Sequence, residues 1–210
     1  MTELKYIITG TGRCGTKYLS EVLTKCCDLP CGHEAVFSSK GLVDYNLTLD
    51  VLQNQIISFK SEKIVADSSA FAALYLDLYP QATVIHLIRN PYDVVNSIIL
   101  NNWFSNTVML DILKEKFPEI SKCVNDVDRA FLYWCLWNEL INKRDFLYKI
   151  EDDLSLLYRF INKGEIILNK PTRNNSRVDL FISDIGIQRM VLDLSEKYGY
   201  KLLSCKKFLI

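Results

Sequence analysis

The sequence predicts an α/β fold: a three-layer arrangement with a parallel sheet and flanking helices. Three observations carry that reading. Thr83-Val84-Ile85-His86-Leu87-Ile88 is a continuous, β-branched run, as found in strands covered on both faces. Tyr6-Ile7-Ile8-Thr9 is a second apolar run. It breaks into a glycine-rich turn and then a segment of helical periodicity through Tyr18, Leu19, Val22 and Leu23. Further apolar runs alternate with helical segments along the chain, the pattern of βαβ units.

The elements follow in order. After the first strand, loop and helix, Leu29-Pro30-Cys31-Gly32-His33-Glu34 reads as a turn carrying a short strand. Helical character runs from Leu49 to Phe59, and Ile64-Val65-Ala66-Asp67 reads as a buried strand ending at Ser68-Ser69. A helix is expected from Phe71 to Tyr79, closed by Pro80. The Thr83–Ile88 strand ends at Arg89-Asn90-Pro91, and Pro91 suits the first turn of the next helix. Periodicity returns from about Arg129 to Asn142, Phe146 to Ile150 forms a last strand, and Ile185 to Tyr198 forms a closing helix with Gly199 as its stop signal. No repeat or Pro/Gly/Ser-rich linker interrupts the 210 residues, so a single domain spanning 1–210 is expected.

Composition narrows the function. Apolar residues make up 49% of the chain, enough for a sizeable core, and the formal net charge is zero. A neutral chain has no global field to attract nucleic acid or an anionic membrane, so neither is an expected partner and anion binding must be local. Met1-Thr2-Glu3-Leu4-Lys5 leads straight into the first strand without the pattern of a signal peptide, and no run reaches membrane-spanning length. The seven cysteines are odd in number and lack C-x-x-C spacing, and the Cys26, Cys27, Cys31 cluster has no paired histidines. No metal site is expected, and the compartment is expected to be the reducing cytoplasm.

The loop Gly10-Thr11-Gly12-Arg13-Cys14-Gly15-Thr16-Lys17 carries the first chemistry. Its glycines permit tight turns and close approach of an anion, and the free N–H groups at the start of the following helix favour negative charge. Gly10 and Gly15 have the spacing of a Walker A loop, yet Thr16 stands where that motif has lysine. Lys17 comes one residue late, and Arg13 lies inside the loop. A phosphate-like group is expected here, rather than ATP with magnesium. A second constellation is Arg89 at a strand end with Ser97 eight residues later, about two helical turns on. A third is Cys31-Gly32-His33-Glu34, which brings a potential base shortly after the first helix.

Together these segments resemble the sulfotransferases that use 3'-phosphoadenosine 5'-phosphosulfate (PAPS). In that family a strand–loop–helix of P-loop-like form holds the 5'-phosphosulfate, and an arginine followed eight residues later by serine holds the 3'-phosphate. Gly12-Arg13-Cys14-Gly15-Thr16 and Arg89 to Ser97 match both motifs. The loop arginine and Cys31-Gly32-His33-Glu34 are similar to the tyrosylprotein-type and bacterial branches. Tyr133-Trp134-Cys135-Leu136-Trp137-Asn138, followed by Ile150-Glu151-Asp152, resembles the family's middle section.

The resemblance implies a cofactor site of Gly12, Arg13, Cys14, Gly15, Thr16, Lys17, Arg89, Ser97 and Arg177. Arg177 belongs to a basic loop, 170–177, where the family closes over the 3'-phosphate. Arg13 and Glu34 are the implied catalytic residues, with His33 the alternative base. The implied reaction moves a sulfuryl group to a hydroxyl-bearing acceptor by in-line displacement, without a metal. That chemistry resembles phosphoryl transfer, in which positioning and electrostatics do most of the catalysis.

Plainer readings stand beside these. Lys17 equally suits a surface lysine, and Cys14 occupies the place of the family's serine. At a helix N-terminus the Cys14 thiol is expected to be acidified and prone to oxidation. Asp67-Ser68-Ser69 fits either the family's serine-containing site motif or the N-cap of the Phe71 helix. His86 reads as a hydrogen-bonded core histidine, and Phe131, Trp134 and Trp137 as helix core. A P-loop kinase predicts dependence on ATP and magnesium. A silent adenine-nucleotide binder predicts 3'-phosphoadenosine 5'-phosphate binding without transfer.

Overall fold

The computed structural model describes residues 3–37, 53–54, 56–57, 63–161 and 177–202. Two compact units divide the chain, one of Met1–Arg89 with Trp137–Ser176 and one of Asn90–Leu136 with Arg177–Ile210.

The first unit holds the sheet. Its strands are β1 (Tyr6–Thr9), β2 (Cys31–His33), β3 (Ala66–Ser68), β4 (Thr83–Ile88) and β5 (Phe146–Lys149), in the order β2-β3-β1-β4-β5. Every pairing is parallel, so all five strands end on the same edge. Ile8 pairs with Ser68 on one side and Ile85 on the other, and Ser68 pairs with His33. β1 lies centrally because β3 and β4, which follow it in sequence, flank it; the chain crosses over β1 between them. Ligands of open α/β sheets sit at the carboxyl ends of strands beside such a crossover.

The two sheet faces bury different partners. Tyr6, Ile8, Ala66, Ile85, Leu87 and Tyr148 pack on Leu19 and Leu23 of α1 (Thr16–Cys26), and on Leu154 and Leu157 of a short helix, Leu154–Phe160. The alternate residues face the other way. His86 is fully buried there and its Nε2 lies 2.9 Å from Asn138 Oδ1, as a core histidine requires. Phe71 meets Trp137 edge-on, their ring centroids 6.2 Å apart.

The segment from Phe71 to Tyr79 departs from expectation. It forms two 3-10 turns, Phe71–Leu74 and Leu76–Leu78, in place of one α-helix. The Tyr75 and Tyr79 N–H groups bond the carbonyls of Ala72 and Leu76, three residues back. Of the expected Leu49–Phe59 helix, residues 53, 54, 56 and 57 are helical; the remainder lies outside the described residues.

The second unit is helical. Labelled in chain order, α2 spans Pro91–Leu100, α3 Thr107–Lys116, and α4 is the Asp126–Leu140 helix. The Leu154–Phe160 helix of the first unit is α5, and α6 is Ile185–Lys197. Asn90 caps α2 by accepting the Tyr92 N–H at 3.0 Å, with Pro91 in the first turn. Tyr92 packs edge-on against Phe131, and Trp134 against Tyr198, so the α4 aromatics are core as expected. α6 ends in a paired closure: the Gly199 N–H bonds the Glu196 carbonyl, and the Tyr200 N–H bonds the Ser195 carbonyl. Among the described residues no helix is long and apolar enough to cross a membrane.

Candidate functional site

The β1–α1 loop is built by its glycines. A Cβ on Gly10 would lie 1.9 Å from the Leu87 carbonyl oxygen, so only glycine lets the loop leave β1 this close to β4. Gly15, at φ 110°, supplies the left-handed turn that starts α1. Arg13 also takes a left-handed backbone, φ 70°, which is uncommon for a residue with a side chain, and it is exposed. No side chain caps α1, whereas side chains of Asn90, Asn106, Asp153 and Asp184 cap α2, α3, α5 and α6. The first turn of α1 carries no acidic residue either. An uncapped, glycine-led helix start suits an anion.

Two further motifs reach this loop within the first unit. Arg89, at the end of β4, donates from a guanidinium nitrogen to the Arg13 carbonyl at 3.1 Å. Thr16 Oγ1 lies 3.3 Å from His33 Nε2 at the end of β2. The Ser68 hydroxyl donates to the Thr16 carbonyl at 3.0 Å, which ties β3 to the same turn. The loop, the β4 arginine and the Cys31–Glu34 segment, separate in the sequence, are thus gathered at one sheet edge. Thr16 is nearly buried, while Lys17 and His33 are exposed.

Glu34 follows β2 with its own left-handed backbone, φ 53°, and its N–H bonds the Ser68 carbonyl at 3.2 Å. The residue is half-buried. Both implied catalytic residues, Arg13 and Glu34, therefore sit in a backbone region that costs energy for a non-glycine residue.

Cys14 corrects an expectation. The residue is fully buried, and burial pushes the thiol from 9.0 up to about 12, against the opposing charge of Arg89 and local hydrogen bonds. The helix N-terminus does not acidify it, because loss of solvent outweighs the dipole. Its N–H donates to the Thr11 carbonyl at 3.3 Å, closing the turn.

The remaining candidates are in the second unit. Ser97 lies half-buried on α2. Arg177 is exposed, and the next residue, Val178, donates its N–H to Asn96 Oδ1 at 2.8 Å. The Arg177 segment is thereby held beside the turn of α2 that carries Ser97. The rest of the basic loop, 170–176, lies outside the described residues.

Sequence reading misses the part played by Asp67. Fully buried in β3, its carboxylate accepts the N–H groups of Ala35, Val36 and Phe37 at 3.1, 3.1 and 3.2 Å. Burial raises its pKa; the three amides and the His33 charge oppose that. A signal for it exists in the sequence: a carboxylate inside an apolar strand requires partners. The cap position of the Phe71–Leu74 turn is Ala70, without a side-chain cap bond, and Ser69 stands one residue before it. Its hydroxyl accepts the Phe71 N–H at 3.1 Å, as at a helix start, and donates to the Phe37 carbonyl at 2.8 Å. Among the described residues no group of His, Cys, Asp and Glu is arranged to hold a metal ion.

No family model matches the chain, and no curated protein matches it in sequence. Among solved structures, it is similar to a sulfotransferase from Alicyclobacillus acidocaldarius, with a TM-score of 0.50 and 13% identity. The alignment covers 96% of this chain and 98% of that one. The likeness is one of fold: a five-stranded, all-parallel sheet flanked by helices, consistent with that of a sulfotransferase, with a P-loop-like strand, loop and helix at its centre.

Proposed function

We propose that this protein is a PAPS-dependent sulfotransferase acting on a hydroxyl-bearing acceptor and releasing 3'-phosphoadenosine 5'-phosphate. One observation carries the reading: the β1–α1 loop, Arg89 and the His33–Glu34 turn meet at the carboxyl edge of a single sheet, joined by the Arg89–Arg13 and Thr16–His33 contacts. The fold likeness to a sulfotransferase supports it. The chain's donors suit such a ligand, since α1 opens without a side-chain cap or an acidic residue, beside two arginines.

When bound, PAPS supplies the sulfuryl group and a phosphate leaving group. Arg13 and the amides opening α1 would hold its 5'-phosphosulfate and would stabilise charge on the departing oxygen. Gly12, Cys14, Gly15, Thr16 and Lys17 complete that loop, and Arg89 is proposed for the 3'-phosphate; Ser97 and Arg177 are proposed for it on the sequence resemblance alone. Glu34 takes the proton of the acceptor hydroxyl, a task a carboxylate can perform when the proton leaves late. His33 is the second candidate for that proton. Its contact with Thr16 leaves it better suited to orienting the loop.

Calorimetric titration with 3'-phosphoadenosine 5'-phosphate, beside ATP with magnesium, tests the reading. Micromolar binding of the 3'-phosphorylated nucleotide and weak binding of ATP is the expected result. Preference for ATP with magnesium would replace it with the kinase reading, which the displaced Walker lysine already disfavours. Binding with no transfer to any acceptor would leave a nucleotide-binding protein.

A further inference from the structure

The turn that carries Glu34 is held from below by a group outside the loop. After His33 the chain makes one more ladder bond, Glu34 N–H to the Ser68 carbonyl, and then reverses through the left-handed Glu34 backbone. The reversal aims the next three N–H groups, of Ala35, Val36 and Phe37, at one carboxylate. Successive amides converging in this way form an anion-binding nest. Here the anion is internal. Asp67 pairs with Gly32 across the β2–β3 ladder, and its two carboxylate oxygens accept all three amides.

Gly32 reports how close the fit is. A Cβ there would lie 2.6 Å from Asp67 Oδ1 and 2.6 Å from the Ala35 Cβ, so the carboxylate occupies the space a side chain would need. The far end of the turn is fastened as well. Phe37 is fully buried and meets Tyr79 edge-on at 5.4 Å, and its carbonyl accepts the Ser69 hydroxyl. Asp67 itself does not open onto the loop edge: it is fully buried.

We propose that Asp67 is a positioning residue for the transfer reaction, its carboxylate fixing the 35–37 amides and thereby the place of the Glu34 carboxylate. The inference rests on Glu34 being the base. Asp67 acts through Glu34, so its loss lowers turnover while leaving the donor site intact. A shift of about 1 Å in a reacting group is enough to cost roughly 100-fold in rate.

The test combines Asp67→Asn, Glu34→Gln and the double variant, with PAPS as donor and water or 2-naphthol as acceptor. The readout is release of 3'-phosphoadenosine 5'-phosphate. Asp67→Asn is expected to lower kcat about 10–100-fold with the KM for PAPS within about twofold of wild type. In the double variant the Asp67 change should add little to the Glu34→Gln loss, because two residues acting through one carboxylate are not additive. Multiplying losses, or a KM that rises with an unchanged kcat, would overturn the positioning role while leaving the base assignment standing. A Glu34→Gln protein that turns over like wild type would instead sink the base assignment, and this inference with it. Hydrogen exchange on the wild-type protein gives an answer even if Asp67→Asn does not fold. The amides of Ala35, Val36 and Phe37 should be protected, and free exchange at all three would end the proposal.

Discussion

Thr16 Oγ1 and His33 Nε2 lie 3.3 Å apart, joining the first residue of α1 to the last residue of β2. The two are 17 residues apart in the chain, and the sheet order explains their meeting. β2 is not next to β1; β3 lies between them, and Ser68 at the end of β3 bonds the Thr16 carbonyl. The edge of the sheet therefore presents loop, β3 and β2 in sequence, with Glu34 one residue beyond.

Glu34 and His33 make distinguishable predictions as bases. Glu34→Gln should lower transfer by about 10²–10⁴-fold with the affinity for 3'-phosphoadenosine 5'-phosphate unchanged. His33→Ala should cost less in turnover and show up partly as weaker nucleotide binding, through Thr16. A larger turnover loss in His33→Ala than in Glu34→Gln would reverse the two roles. Glu34→Gly is a useful companion, since it removes the carboxylate and relieves the left-handed backbone.

Arg89 has two tasks in the proposed function, the Arg13 carbonyl and the 3'-phosphate. Arg89→Ala should weaken 3'-phosphoadenosine 5'-phosphate binding by about 2–4 kcal/mol in calorimetry, the worth of a forked, charge-assisted pair of hydrogen bonds. Arg89→Lys keeps the charge but not the forked donors, so it should recover only part of that affinity. Full recovery with lysine would show that charge alone, without the Arg13 hydrogen bond, accounts for the residue.

Among the glycines of the described residues, Gly10 leaves the least room for an added Cβ. Its Cβ would meet the Leu87 carbonyl at 1.9 Å, and a backbone group offers no flexible end to move aside. Gly10→Ala should cost about 3 kcal/mol in urea denaturation, at the upper end for overpacking. An unchanged midpoint would mean that the β1–β4 approach is looser than described.

The buried thiols set a pH dependence. Cys14 and Cys31 are both raised from 9.0 to about 12, mainly by burial, with the Asp67 charge adding to the effect at Cys31. The folded state then holds protons that the unfolded chain releases. This contribution to stability is complete below pH 9 and is lost as pH rises toward 12. The denaturation midpoint should fall across that window, less steeply in Cys14→Ser. Near neutral pH, iodoacetamide should label exposed Cys26 in the folded protein and spare Cys14. Rapid labelling of Cys14, read by mass spectrometry of peptides, would contradict its burial.

The parts of the fold legible in the sequence are those set by local chemistry. β4 falls at Thr83–Ile88, the span of its β-branched run, because such a run permits little else. Pro91 and Asn90 start α2, and Gly199 stops α6, through bonds made within a few residues. The β1–α1 loop is readable for the same reason. The Phe71–Tyr79 segment is less so: apolar periodicity gives its helical character, while the choice of 3-10 turns over an α-helix is not a local property.

The parallel α/β class, the span of β4 and the glycine-rich turn after β1 were legible in the sequence, since each depends on neighbours a few positions away. Tertiary structure decided what the residues around that turn do to one another. It buried Cys14 and so kept its thiol neutral, set Arg89 on the Arg13 carbonyl, and put Asp67 beneath amides some 30 residues earlier in the chain. Burial and strand order are properties of the assembled sheet, and the energy of a charge or a thiol depends on the solvent that assembly removes.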